Sequence, residues 1–124
     1  MAADAFDPVA VVTLFGEADG CELLRLAAAD IRDRLDTLGA SLAGGDRPAA
    51  ARAAHSIAGV AGNIMAFELS AVAREMEDAL RASGPVPEVL VECLGTEVGA
   101  VLDAIGRHAR LSSSFLSHSG ITHG

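Results

Sequence analysis

Apolar residues return every three or four positions along most of this chain, and clusters of glycine and proline cut that rhythm into segments. Between about Gly20 and Ala43, for example, Leu23, Leu24, Leu26, Ala27, Ile31, Leu35, Leu38 and Leu42 trace the stripe of a long amphipathic helix, and Gly44-Gly45 stops it. Strand-type alternation is hard to find, as is the turn spacing of a sandwich or barrel. Apolar residues make up 51% of the chain but aromatics only 3%, so Ala, Leu and Val supply the apolar content and favour helices over strands. The sequence reads as all-α.

Four other segments follow from the same punctuation. A short first helix starts with Asp7 as N-cap and Pro8 in its first turn, and ends near Gly16. Asp46 caps a helix that has Pro48 in its first turn and runs to about Gly62. The next begins at Ile64 or Met65 and reaches Ala82, with Leu69, Val72, Ala73, Met76 and Leu80 inward, until Ser83-Gly84-Pro85 ends it. The last spans about Pro87 to Ala109, using Val89, Leu90, Leu94, Val98, Val101, Leu102 and Ile105. Short connections between long helices predict an antiparallel up-down-up-down four-helix bundle with the first helix packed across one end. Residues 1–111 form that bundle in this reading, and the Ser- and Gly-rich residues 112–124 a flexible tail.

At 124 residues one domain is expected. A formal charge of −8, from 17 acidic against 9 basic side chains, argues against a nucleic-acid partner, which needs a basic stripe. No apolar run approaches a membrane span, and the start MAADAFDP has no leader pattern, so a cytoplasmic protein away from membranes is the expectation, and a self-contained bundle suggests a monomer. Cys21 and Cys93 lie far apart without a CxxC, and both are read as small core hydrophobes. His108, His118 and His123 lack the fixed spacing of a metal site, and no metal is assigned.

His55 stands apart from these. On a wheel of about 100° per residue, Ala50, Ala53, Ala54, Ile57, Val60 and Ala61 gather opposite it as a core-facing stripe. Ala51, Arg52, Ala58, Gly59 and Gly62 fall beside the imidazole and form a candidate partner-binding surface. Each helical glycine costs roughly 0.5–1 kcal/mol relative to alanine. Such a clearing suits either a closely packed helix or a second protein that must approach the ring.

The run AAHSIAGVAGNIMAFEL resembles the signature of histidine-containing phosphotransfer domains, approximately AHxLKGxxxxxGxxxL, with Ala54, His55, Ile57, Gly59 and Leu69 in matching places. FDPVAVVTLFG upstream, the GGD turn and EMEDAL downstream are similar as well, over roughly residues 6 to 106. Two positions depart from the pattern. Ala58 stands where the family usually has Lys, and Met65 where Gly is common before the next helix. Arg52, one turn before His55, is then the nearest basic residue on that helix.

The resemblance implies a phosphocarrier rather than an enzyme. His55 would be the phosphoacceptor in a multistep two-component phosphorelay, exchanging phosphoryl groups with receiver-domain aspartates of response regulators and a hybrid histidine kinase. Its chemistry suits that role, because a neutral imidazole offers one free nitrogen as nucleophile near pH 7. The receiver would supply Mg²⁺, so no cofactor is expected on this chain. Glu77 falls where relatives often carry Glu or Gln near the imidazole; there it would orient the ring, or else be a solvated glutamate in the run Arg74-Glu75-Glu77-Asp78. The alternatives are a non-phosphorylated helical adaptor that docks on receiver or kinase domains, and a kinase dimerisation hairpin. The latter lacks an accompanying Gly-rich nucleotide motif here.

Overall fold

The computed structural model describes residues 5–121, with side-chain surroundings for residues 5–112. It consists of five helices, α1 (Pro8–Phe15), α2 (Glu17–Ala43), α3 (Arg47–Asn63), α4 (Phe67–Arg81) and α5 (Glu88–Ile121), and no strand among the described residues. Helices α2, α3, α4 and α5 form a ring in which each packs on the next and α5 returns to α2, while α1 lies against α2 and α5. Leu24, Ile31, Ile57, Ile64, Leu69, Met76, Leu94 and Val98 fill the space between them.

Local chemistry sets most helix ends. The Asp7 side chain accepts from the amide of Val9 at 3.0 Å, and Asp46 from that of Ala49 at 3.1 Å, satisfying amides that have no partner inside the helix. Helices α2 and α3 both close with a Schellman motif. Asp46 N donates to Ser41 O and Gly45 N to Leu42 O in the first; Ala66 N donates to Ala61 O and Met65 N to Gly62 O in the second. The left-handed position falls to Gly45 (φ 74°) in one and to Met65 (φ 61°) in the other. Met65 thus takes the left-handed backbone shape that glycine usually supplies at a helix end, which is why α4 starts at Phe67 rather than at Ile64 or Met65. At the α1–α2 corner, a Cβ on Gly20 would sit 2.7 Å from the Cα of Val12, so only glycine permits that approach.

Three cross-links show α3 and α4 to be antiparallel, since partner numbers fall on one helix as they rise on the other. Arg47 reaches the end of α4, His55 meets Glu77, and Ala58 meets Ser70. Arg47 donates from Nε to the carbonyl of Leu80 (3.2 Å) and from its terminal nitrogen to those of Ala79 and Ala82 (both 2.9 Å). These are carbonyls left unpaired by the end of α4, so the first residue of α3 caps its neighbour.

Several sequence expectations need correction. Helix α5 does not stop near Ala109 but continues to Ile121, so residues 112–121 of the expected tail are helical, and 122–124 lie outside the described residues. No proline or left-handed glycine interrupts that stretch, and serine is a tolerable helix residue. Cys93 is exposed rather than a core residue because it lies about 100° round α5 from buried Leu94. Cys21 is half-buried. Leu26 and Val89, read as inner positions, face outward at 51% and 65% exposure, and Val60 is only half-buried at the core's edge.

Candidate functional site

Ile57 is fully buried and lies about 200° round α3 from His55. Burying an isoleucine side chain is worth roughly 1.5–3 kcal/mol, so the packing that holds α3 in the ring also turns His55 outward. Its side chain is 73% exposed.

The ring is nevertheless held at one nitrogen. Nδ1 of His55 lies 3.0 Å from Oε1 of Glu77, whose other oxygen, Oε2, accepts from Nε of Arg81 at 2.8 Å. Glu77 is only 16% exposed. Burial pushes its carboxyl upward, but hydrogen bonds from Arg81 and His55 together hold it below the ordinary carboxylate value. An ionised carboxylate only accepts, so the hydrogen between the two groups belongs to Nδ1. The neutral ring then carries its lone pair on Nε2. Glu77 therefore stands at the imidazole rather than in solvent.

The five residues expected beside the ring divide into two sets. Ala51 and Ala58 are buried, at 1% and 3% exposure, because α4 covers that flank of α3. Their small side chains serve close helix packing and are not open to a partner, which corrects their assignment to a partner surface. Ser70 of α4 comes close enough there to donate to the Ala58 carbonyl at 2.9 Å. Gly62 is half-buried, with Ser70 Oγ 3.8 Å from where its Cβ would lie. On the other flank Arg52 and Gly59 are exposed, and a Cβ on Gly59 would meet nothing within 4 Å.

A shallow depression runs past Gly59 and Gly62 to Asn63, Phe67, Ala71 and Arg74. Phe67 is 65% exposed, a large apolar side chain that borders this depression with Gly59 and Gly62. Although the whole chain carries a charge of −8, this face is bordered by the basic Arg52, Arg74 and Arg81. Wheel arithmetic on α3 alone missed Ser70, Phe67 and Arg81, which come from the neighbouring α4, and the reach of Arg47, at the start of α3, to the end of that helix. Only Arg81 left a signal in the sequence, its spacing of four from Glu77. Among the described residues no group of three or more His, Cys, Asp or Glu is placed to hold a metal.

The fold and the site together define a class of all-helical bundle with an outward imidazole on its second long helix. The family model described as Hpt domain matches residues 22–106, more than half of the chain, and the protein belongs to that family. Domains of this family are phosphocarrier modules of phosphorelays and not kinases. No curated protein and no solved structure matches the chain. No helix among the described residues is long and apolar enough to cross a membrane.

Proposed function

We propose that this chain carries a phosphoryl group on Nε2 of His55, taking it from the aspartyl phosphate of a receiver domain and passing it to a second receiver aspartate. The observation that carries this reading is an imidazole 73% exposed at its side chain yet tied through Nδ1 to the Glu77 carboxylate. The Nε2 lone pair attacks phosphorus; the N–P bond forms as the P–O bond to the donor aspartate breaks, and the electron pair leaves with that carboxylate. The proton stays on Nδ1, and the positive charge the ring gains faces Glu77. Transfer in the reverse sense uses the same geometry.

The surroundings suit this traffic. Gly59 and the half-buried Gly62 leave the approach to Nε2 without bulk, and Phe67 offers an apolar contact. Arg52 and Arg74 supply local positive charge where Ala58 replaces the usual lysine. Response-regulator receivers and a hybrid kinase are the partners, with Mg²⁺ bound by the receiver. A docking face of this size fits brief encounters.

The test is incubation with a phosphorylated receiver and Mg²⁺. The wild-type chain should acquire an acid-labile, base-stable phosphate, and His55→Gln should not. If the wild type binds receivers but never becomes phosphorylated, it is a docking adaptor and the carrier reading fails.

A further inference from the structure

We propose that Arg81 is a positioning residue for His55: by holding the far oxygen of Glu77 it presents the near oxygen to Nδ1 and keeps Nε2 facing the phosphoryl donor. This rests on the phosphotransfer reading and adds to it a residue that does not touch the imidazole.

The geometry is a two-point hold. Each oxygen of Glu77 has its own donor, Nδ1 of His55 on Oε1 at 3.0 Å and Nε of Arg81 on Oε2 at 2.8 Å. A carboxylate's last torsion is soft, with broad preferences, so a single partner leaves its plane free to turn. A second donor on the opposite oxygen fixes that plane. The spacing is also the favourable one, since an acidic residue four positions before a basic one brings the two side chains together on a helix.

The surroundings position the arm that makes this contact. The Arg47 guanidinium binds the carbonyls of Ala79, Leu80 and Ala82, securing the backbone on both sides of Arg81. Arg81 and Ala51 border the same depression, where the single methyl of Ala51 leaves room for the guanidinium. Burial works against the ionised form of Glu77, and the Arg81 hydrogen bond is the leading influence that restores it. The Arg81 end of the pair is 52% exposed, and an ion pair open to solvent at one end contributes only modestly to overall stability, which leaves orientation as its main effect.

Nitrogen-15 NMR of the imidazole tests this directly, because Nδ1–H and Nε2–H tautomers give distinct two-bond correlations, and His55→Gln identifies which signals belong to His55. The comparison covers wild type, Arg81→Gln and Arg81→Lys, each checked for unchanged helicity by circular dichroism, alongside transfer rates from a phosphorylated receiver. Wild type should show the Nδ1–H tautomer. Arg81→Gln should show a mixture and transfer on the order of tenfold more slowly, the low end for losing a group that orients a reacting one. Arg81→Lys, which keeps a cation within reach, should recover most of both. A tautomer balance in Arg81→Gln identical to wild type overturns the proposal; a rate loss with that balance unchanged would make Arg81 a docking contact instead. If no variant, wild type included, takes up phosphate, the carrier reading falls, while the tautomer comparison still decides whether Arg81 sets the ring.

Discussion

The hydroxyl of Ser70 on α4 donates to the carbonyl oxygen of Ala58 on α3 at 2.9 Å, from a position only 5% exposed. It joins the two helices one turn beyond the imidazole, where α3 otherwise offers α4 alanine and glycine. A buried hydroxyl must find such an acceptor, and the net gain from one hydrogen bond is about 1 kcal/mol. Ser70→Ala should therefore lower the unfolding free energy by about 1 kcal/mol in urea, with an unchanged m-value and a normal phosphotransfer rate. An unshifted midpoint would show that the bond adds nothing.

Gly59 separates the folding and docking demands on α3. A methyl there meets open space in the isolated domain, so Gly59→Ala should raise stability by about 0.5–1 kcal/mol through helix propensity. Gly59→Glu should leave helicity and melting temperature nearly unchanged while abolishing transfer, because bulk and negative charge then stand beside His55. Unfolding of Gly59→Glu would contradict the open position.

Acidification should weaken the hold on the imidazole. The carboxyl of Glu77 is raised by burial but lowered further by its bonds to Arg81 and His55, so its net shift is below the ordinary 4.5. A group depressed in the folded state contributes stability that is fully present above its unfolded value and lost as pH falls through its folded value. The stability advantage of wild type over Glu77→Gln should hold level just above 4.5 and shrink as pH falls below it. An advantage that grew with acid would mean that burial dominates the carboxyl.

Met65 carries backbone strain that glycine would relieve. A left-handed conformation costs a non-glycine residue roughly 1–2 kcal/mol, and Met65 adopts it at φ 61° to close the Schellman motif of α3. Its half-buried side chain packs on the core in return. Met65→Gly exchanges one for the other and should change stability by less than about 1 kcal/mol, whereas β-branched Met65→Val should lose about 2 kcal/mol. Chemical denaturation decides it: equal losses for both variants would mean that the side chain, not the backbone, sets the outcome.

Much of the architecture and part of the site were legible in the residues. Asp7, Asp46 and Gly45 mark their helix ends through chemistry confined to a few neighbouring positions, and each end lies where that chemistry puts it. Met65 gave no such mark, since nothing about methionine announces a left-handed turn. Nor did the residues after Ala109, where small polar side chains fit a helix and a loop about equally well. The outward direction of His55 was readable because Ile57 and the alanines opposite it must be buried.

Periodicity along one helix by itself determined that α3 has an inner face and that His55 lies off it, because a repeat of 3.6 residues is a property of the chain alone. Which flank of α3 is covered was decided by the tertiary structure. Helix α4 lies against Ala51 and Ala58 and leaves Gly59 open, a choice that depends on how the ring of helices closes rather than on any local pattern. The same antiparallel register set Glu77 beside His55, with Arg81 one turn behind it and Arg47 at the far end. Residues 22 to 35 positions apart meet only when two helices are docked.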